Sequence, residues 1–385
     1  MKSCIVISDS FKGTLSSLEI CRIAQETIPE IFPDCQVTAI PVADGGEGTV
    51  DCFLQTMQAI PVRITSTGPY GEEIECVYAR SGTKAVVEMA CAAGLPMVGE
   101  RRNPELTTTY GVGTVIRHAV EHGCTEILLG LGGSATNDGG CGCAAALGGK
   151  FFNRNGEEFV PVGSNLDKIE HIDISGTKAL LKNVRITVMC DVDNPLYGPE
   201  GAACVFAPQK GADGAMAARL DKNLRRLAVV IEQELGISVA RRPGAGAAGG
   251  MGAGCIAFLG AELKSGIEAI LDLTEFDRNL ERADLVITGE GRVDGQSLRG
   301  KVISGIARRT KPRNIPLIVI AGGIDPSADE AYGLGVTAMF SIDREAKAFE
   351  EYAQESSKYY RRTLKDILRC IRMAEQMCGF GVRLE

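Results

Sequence analysis

The sequence has 385 residues with a formal net charge of −8, and 45% of its residues are apolar, as in ordinary globular proteins. No segment combines dense lysine and arginine with aromatic residues, which argues against nucleic acid as a partner. We find no signal-peptide pattern, no long apolar run and no disulfide framework among the 14 cysteines, so we expect a cytoplasmic chain that does not span a membrane.

The predicted elements alternate between strands and helices. An apolar run at 5–7 predicts a first strand, and the capping-box spacing of Ser16 and Glu19 predicts that a helix follows. Short strands parted by glycine turns between residues 60 and 90 predict hairpins. Further strands are predicted at 36–42, 126–131, 184–190, 285–288, 317–321 and 336–342, and further helices at 114–121, 218–235, 302–309 and 345–378. This order predicts an α/β fold with largely parallel sheets and, given the length, two domains.

Five of the predicted strands run directly into polar loops that contain glycine and carboxylate or amide groups. Their sequences are SDSFKG at 8–13, ADGGEGT at 43–49, GLGGSATNDGG at 130–140, CDVDNPLYGPEG at 190–201 and TGEGRVDGQS at 288–297. One such loop is more often only a turn. Because the carboxyl ends of parallel strands face one crevice, five of them predict a shared ligand site.

The loop 130–140 offers a run of backbone N–H groups before an alanine-rich stretch that is predicted to be helical. A glycine loop at the N-terminus of a helix binds anions well, so we expect Gly132, Gly133 and Ser134 to cradle a phosphate. A tight strand-to-helix turn is the alternative.

Three other motifs are weak. Residues 295–302 approach a P-loop, but Val302 stands where a Ser or Thr should ligate Mg²⁺, although Lys301 could still meet an anion. The glycines at 244–249 match a dinucleotide fingerprint but follow no buried strand. Residues 118–122 have a zinc-protease spacing in a chain with only three histidines.

The predicted loops are rich in carboxylates, which repel one another unless a cation or protonation offsets their charge. These carboxylates are Asp9, Asp44, Glu47, Asp138, Asp191, Asp193, Glu290 and Asp294, and the interleaved cations are Lys12, Lys210, Arg292 and Lys301. Glycine loops, acidic groups for nucleotide-bound Mg²⁺ and scattered cations indicate phosphoryl transfer. Acyl transfer lacks a GxSxG elbow.

Seven ordered segments resemble the bacterial glycerate kinase family of the type without a P-loop. They lie at 8–13, 43–49, 130–140, 190–196, 206–212, 243–250 and 288–297, and the resemblance runs from about residue 1 to 380. It implies ATP-dependent phosphorylation of D-glycerate with Mg²⁺, in most members to 2-phosphoglycerate and in some to 3-phosphoglycerate. It also implies two α/β domains, one flavodoxin/Rossmann-like and one restriction-endonuclease-like, with an interdomain cleft.

On this basis we predict that residues 1–60 and 285–385 form a discontinuous first domain and that 61–284 form an inserted second domain. The expected partners are ATP and D-glycerate, and we expect neither nucleic acid nor a membrane as a partner. The sequence leaves open whether the protein forms a homo-oligomer. A kinase for another small hydroxy acid or for a polyol is the first rival. A non-enzymatic sugar-acid sensor is the second, and the intact acidic loops argue against it.

We assign the candidate residues as follows. The catalytic candidates are Asp191, as general base, and Lys12. The candidates for binding ATP are Gly132, Gly133, Ser134, Asn137 and Lys301. The candidates for binding the substrate are Asp9, Ser10, Lys12, Asp44 and Arg292, and those for Mg²⁺ are Asp193, Glu290 and Asp294.

Overall fold

The computed structural model describes residues 1–11, 13–42, 48–56, 59–295, 302–344 and 349–379. The strands are β1 (Ser3–Ser8), β2 (Gln36–Pro41), β3 (Ile60–Thr67), β4 (Glu73–Ser81), β5 (Lys84–Glu88), β6 (Glu126–Gly130), β7 (Lys150–Phe152), β8 (Glu158–Phe159), β9 (His171–Asp173), β10 (Arg185–Met189), β11 (Glu262–Lys264), β12 (Leu285–Val293), β13 (Leu317–Ile324) and β14 (Ala338–Ser341). The helices are α1 (Ser17–Ile31), α2 (Thr49–Thr56), α3 (Ala90–Ala93), α4 (Leu95–Val98), α5 (Tyr110–Glu121), α6 (Cys141–Ala146), α7 (Ser175–Leu180), α8 (Ala202–Phe206), α9 (Gly214–Leu235), α10 (Ala247–Leu259), α11 (Gly266–Leu273), α12 (Phe276–Leu280), α13 (Val302–Thr310), α14 (Glu330–Leu334) and α15 (Phe349–Gly379).

The chain divides into two compact units. The first unit comprises Met1–Ala43 together with Ile270–Glu385, and the second comprises Asp44–Ala269. The borders predicted from the sequence, at residues 60/61 and 284/285, lie further along the chain than these.

The first unit contains a five-stranded parallel sheet in the order β14-β13-β12-β1-β2. Helix α1 begins at the predicted capping box, where the Ser16 hydroxyl accepts from the Glu19 N–H and the Glu19 carboxylate accepts from the Ser16 N–H. The hydroxyl of Ser17 then donates to the carbonyl of Ser8 at 2.6 Å and accepts from the N–H of Val42 at 2.8 Å. This one side chain therefore fixes the carboxyl ends of β1 and β2 relative to each other.

The second unit contains a six-stranded sheet in the order β11-β10-β6-β5-β4-β3. Strands β11, β10, β6 and β5 are parallel, whereas β3, β4 and β5 form the predicted antiparallel hairpins. A small antiparallel sheet in the order β8-β7-β9 completes this unit. Glu88 and Met189 both pair with Gly130, so the ends of β5, β6 and β10 lie side by side.

The α/β class is as predicted, but two details differ from the sequence-based expectation. The five polar loops do not follow strands of one sheet, because β1, β2 and β12 belong to the first unit while β6 and β10 belong to the second. Strand β12 also continues to Val293, which pairs with Ile324 of β13, so Glu290 and Arg292 are strand residues and not loop residues. Within the part of the chain that is described, no helix is both long and apolar enough to cross a membrane.

Candidate active site

The glycine loop follows β6 and is firmly held at its tip. The N–H of Leu95 donates to the carbonyl of Gly133 at 2.7 Å, and the N–H of Ala135 donates to the carbonyl of Ala93 at 2.8 Å. Gly133 is exposed and has a φ of +71°, a conformation that favours glycine. Among the described residues, the N–H groups of Gly132, Gly133 and Ser134 donate to no acceptor. The tip therefore offers three backbone donors, as the phosphate-binding prediction requires.

The part of the loop nearest α6 is arranged differently from the prediction. The Asp138 carboxylate accepts from the N–H groups of Gly140 at 3.1 Å and Gly142 at 3.3 Å, and the hydroxyl of Thr109 accepts from the N–H of Cys143 at 2.8 Å. Asp138 is fully buried. An internal carboxylate thus already occupies the N-terminus of this short helix, and the donors left for a ligand are those of the tip.

Burial and hydrogen bonding act in opposite directions on Asp138. Desolvation raises the pKa of its carboxyl, while the donors from Thr109, Gly140 and Gly142 lower it. These donors form a complete hydrogen-bonding shell around the buried group, as stability requires.

The glycine-rich segment that matched a dinucleotide fingerprint is instead a packing surface for the loop. A Cβ atom at Gly249 would lie 2.0 Å from the Thr136 carbonyl oxygen, and one at Gly254 would lie 2.4 Å from the Gly139 carbonyl oxygen. The N–H of Gly139 donates to the carbonyl of Gly249 at 3.1 Å. These glycines lack side chains because their backbone directly contacts the backbone of the glycine loop.

A buried lysine lies against the loop. Lys210 belongs to the short 3₁₀ turn Pro208–Lys210 and is only 2% exposed. Its ammonium group donates to the hydroxyl of Ser134 at 2.8 Å and to the carbonyl of Thr136 at 2.7 Å. Desolvation lowers the pKa of Lys210 to about 7, and the charge of Asp138 partly opposes this effect.

Two further side chains of the loop are buried but have no hydrogen-bond partner among the described residues. They are Asn137, through both its amide nitrogen and its amide oxygen, and Thr136, through its hydroxyl. Both residues are fully buried. Unpaired buried polar atoms of this kind usually bind a ligand or an ordered water. The role of Asn137 in binding ATP stays a prediction.

Carboxylates flank the loop at the neighbouring strand ends. Asp191 follows β10 and its Oδ1 accepts from the N–H of Gly266, at the start of α11, at 2.8 Å. Asp191 and Asp193 are both exposed. Glu88, at the end of β5, is buried and accepts from the N–H of Val50 at 2.6 Å. The structure thus brings the predicted base Asp191 to the same sheet edge as the glycine loop.

The first unit carries a second set of candidate residues at the ends of β1 and β12. The N–H of Asp9 donates to the carbonyl of Gly289 at 2.9 Å, which places Asp9 beside the residue that precedes Glu290. Asp9 and Ser10 are partly buried, and the Ser10 N–H donates to Asp9 Oδ1 at 2.7 Å. Asp9 and Ser10 therefore directly follow β1, which is the strand next to β12, where the candidate metal ligand Glu290 lies.

Arg292 lies two residues further along β12 and its guanidinium is 3.2 Å from the carboxylate of Asp325. The side chain of Arg292 is 72% exposed. Hydrogen bonds from Ser327 and from Arg292 lower the pKa of Asp325. Asp294, also a candidate metal ligand, is partly buried just after β12.

Three predicted site residues, Lys12, Asp44 and Lys301, lie outside the described residues. The predicted Mg²⁺ ligands are divided between the units, with Asp193 in the second and Glu290 and Asp294 in the first. Over the described ranges, no three His, Cys, Asp or Glu side chains are close enough together to hold a metal ion. This is compatible with Mg²⁺ that arrives on a nucleotide, since such an ion takes only one or two protein carboxylates.

Two carboxylates of these sites were not predicted. Glu88 ends a strand that had been predicted only as part of a hairpin, although β5 also pairs in parallel with β6. Asp325 directly follows β13 and is the ion-pair partner of Arg292. Applying the rule on parallel strand ends to β5 and β13 as well would have found both.

Together these features define a class of protein. An α/β fold that presents uncommitted loop N–H groups beside strand-end carboxylates is typical of enzymes that act on phosphate groups.

Comparison with known proteins defines the family. The model of the glycerate kinase family matches residues 4–372. The chain is 43% identical over 375 residues to a glycerate kinase from Bacillus cereus, covering 97% of this chain and 98% of that protein. It is 46% identical over 341 residues to the glycerate 2-kinase of Escherichia coli, covering 88% and 90%. A crystal structure from Salmonella typhimurium LT2, assigned as glycerate kinase 2, has a TM-score of 0.85 at 40% identity and covers 97% of this chain and 99% of that chain. The chain belongs to the glycerate kinase family and is a kinase.

Proposed function

We propose that this kinase transfers the γ-phosphoryl group of ATP to D-glycerate and that the product is 2-phosphoglycerate. The observation that carries the proposal is the loop tip, where the N–H groups of Gly132, Gly133 and Ser134 have no acceptor among the described residues. Such a tip is suited to the oxygens of a phosphate. The similarity to a protein named glycerate 2-kinase supports the choice of acceptor hydroxyl.

In the proposed reaction, the second unit binds the phosphate groups. The loop tip contacts the phosphate oxygens, the buried Asn137 is assigned to the same ATP site, and Asp191 accepts the proton of the attacking hydroxyl. Asp191 fits this role because it lies at a strand end beside the loop and is exposed. Lys301, outside the described residues, is proposed as a further phosphate contact.

The proposed substrate contacts belong to the first unit, except for Asp44, which is the first residue of the second unit. Arg292 provides an exposed guanidinium that matches the geometry of a carboxylate such as that of glycerate. Asp9 and Ser10 offer acceptor and donor groups for the glycerate hydroxyls, and Asp44 is assigned to the same substrate. Lys12 is proposed to contact either the transferring phosphoryl group or the glycerate carboxylate.

We propose that magnesium enters with ATP as part of the substrate. Asp193, Glu290 and Asp294 are the carboxylates that would hold the ion or its water ligands. The ion supplies positive charge that offsets the charge of the phosphate oxygens.

We also propose that the two compact units are the two domains of the family, a discontinuous first domain and an inserted second one. Limited proteolysis would test this division, since cleavage near residues 44 and 269 would release the second unit as a resistant fragment.

A coupled assay with ATP, Mg²⁺ and D-glycerate tests the proposed activity. We expect ADP formation that depends on D-glycerate, with much slower turnover of tartronate and glycerol. Faster turnover of either comparison substrate would favour a kinase for another hydroxy acid or for a polyol. The ³¹P NMR spectrum of the product then distinguishes a phosphate on the 2-hydroxyl from one on the 3-hydroxyl.

A further inference from the structure

Lys210 is the only residue whose cationic side chain is fully buried among the described residues. It lies far from the loop 130–140 in sequence but contacts that loop twice. Its ammonium group is 2.8 Å from the hydroxyl oxygen of Ser134 and 2.7 Å from the carbonyl oxygen of Thr136. Ser134 follows the exposed Gly133, so the ammonium group of Lys210 contacts the residue next to the exposed tip of the loop.

The direction of the hydrogen bond to Ser134 depends on the protonation state of Lys210. A charged ammonium group has three donors and no acceptor, so it can only donate to the Ser134 oxygen. The hydrogen of the Ser134 hydroxyl must then point elsewhere and is available to a ligand. A neutral amine has a lone pair and can accept that hydrogen, which removes it from the site.

We propose that Lys210 is a positioning residue for phosphoryl transfer, whose ammonium group directs the Ser134 hydroxyl as a donor toward the bound phosphate and fixes the loop through the Thr136 carbonyl. This inference rests on the proposed function of the loop. It assigns Lys210 a role through Ser134 and not through contact with the phosphate.

The charges around Lys210 are consistent with this role. Asp138 is the carboxylate whose field favours the charged form of Lys210. Arg102 contacts the same turn through the carbonyl of Gln209 at 3.3 Å. Asp138 already accepts hydrogen bonds from Thr109, Gly140 and Gly142, so its negative charge is divided between these donors and Lys210. An anion at the tip would therefore add to the stabilisation of the ammonium group.

The test compares MgATP binding and turnover in wild type, Lys210→Met, Ser134→Ala and Lys222→Met. Lys222 is exposed on α9 and serves as the matched control. Calorimetry between about pH 6 and pH 9 spans the pKa of Lys210. Because a phosphate group also titrates with a pKa of about 6, the readout is the difference between wild type and each variant.

We expect the ATP affinity of wild type to fall about tenfold as pH rises through this range. The hydrogen bond from Ser134 to phosphate should be stronger while Lys210 is charged, because hydrogen bonds that involve an ionised group are stronger than neutral ones. In Lys210→Met we expect the ATP affinity or kcat to be about 10²-fold lower than in wild type. This is the usual effect of losing one hydrogen-bond donor to a group that reacts. The remaining affinity of this variant should lack the pH dependence that Lys222→Met retains. The KM for D-glycerate should change little.

Ser134→Ala keeps Lys210 and therefore tests the proposed role of Lys210 even if Lys210→Met does not fold. Loss of the pH-dependent component in Ser134→Ala supports the proposal, and retention of the full wild-type dependence overturns it. Wild-type ATP affinity in folded Lys210→Met would also overturn it. If wild type binds ATP with this pH dependence but does not phosphorylate D-glycerate, the proposed function fails while the role of Lys210 stands.

Discussion

Asp138 accepts hydrogen bonds from both the backbone N–H and the hydroxyl of Thr109, at 2.7 and 2.8 Å. The same Thr109 hydroxyl oxygen accepts from the N–H of Cys143. Both Asp138 and Thr109 are fully buried. This pair therefore joins the glycine loop, the start of α5 and the start of α6 into one hydrogen-bonded unit at the base of the exposed loop tip.

Removing the Asp138 carboxylate should destabilise the protein strongly. Asp138→Ala leaves the donors of Thr109, Gly140 and Gly142 buried without an acceptor, so we expect the free energy of unfolding to fall by about 3 kcal/mol or more. Asp167→Ala is the control, because Asp167 is an exposed carboxylate of the same unit. Urea denaturation measures both variants, and equal small losses would contradict the role of Asp138.

The close packing of the glycine-rich segment gives a second prediction. Gly249 and Gly236 both have a φ of +69°, but a Cβ atom at Gly249 would meet the Thr136 carbonyl, whereas one at Gly236 would meet nothing within 4 Å. Gly236→Ala should cost only the strain of the left-handed conformation, about 1 kcal/mol. Gly249→Ala should cost several times as much and should weaken ATP binding as the loop shifts. Thermal unfolding and ATP titration measure these effects. Similar losses of stability in the two variants would show that the left-handed backbone conformation alone, and not the contact with Thr136, accounts for the destabilisation.

The local features of this fold could be predicted from the sequence. The capping box at Ser16 and the strand that ends at Ser8 follow from short-range patterns, and the structure contains both. Strand β12 was predicted too short, because its last residues are polar and glycine-rich and are held in the sheet by pairing with β13.

Long-range relationships could not be predicted in the same way. Each of the five polar loops follows its strand by a local rule, but nothing local shows that β6 and β12 belong to different sheets. Lys210 was identified only as a cation that could offset charge, since its contact with Ser134, distant in sequence, depends on tertiary packing. Likewise the N-terminus of α6 seemed open to phosphate until the structure placed Thr109 and Asp138 there.

Asp191 can be tested as the general base with a control that matches its structural role. Asp191 accepts from the Gly266 N–H and Asp173 accepts from the Ser175 N–H, each at 2.8 Å and each at the start of a helix. Asparagine keeps an acceptor oxygen at both positions but cannot take up a proton at physiological pH. Asp191→Asn should lower kcat by about 10²-fold or more with an unchanged melting temperature, whereas Asp173→Asn should leave kcat unaltered. Near-normal turnover of Asp191→Asn would exclude the role of base.

Mutation of Arg292 tests its proposed contact with the substrate. Arg292 pairs with Asp325 at 3.2 Å and Arg278 pairs with Glu275 at 3.1 Å, and both arginine side chains are largely exposed. Exposed ion pairs contribute little, so alanine at either position should change the free energy of unfolding by less than about 0.5 kcal/mol. Only Arg292→Ala should raise the KM for D-glycerate, by about 10-fold to 100-fold for the loss of a charged hydrogen bond. Steady-state kinetics at saturating ATP would disprove the assignment if both variants had the wild-type KM.

The buried position of Lys210 also makes stability depend on pH with a definite sign. Burial lowers the pKa of Lys210 from its ordinary value of 10.5 to about 7, so between these values the unfolded chain binds a proton that the folded chain does not. The free energy of unfolding of wild type should therefore fall as pH decreases from about 10 to about 7, by at most about 1.4 kcal/mol per pH unit, and should be independent of this group below that range. Lys210→Met lacks the group, and replacing a buried charge by an apolar side chain of similar size is often tolerated. Urea denaturation of both proteins across this range isolates the contribution of Lys210, since all other titrating groups are shared. A difference between the two proteins that stays constant with pH would show that Lys210 remains protonated in the folded state throughout.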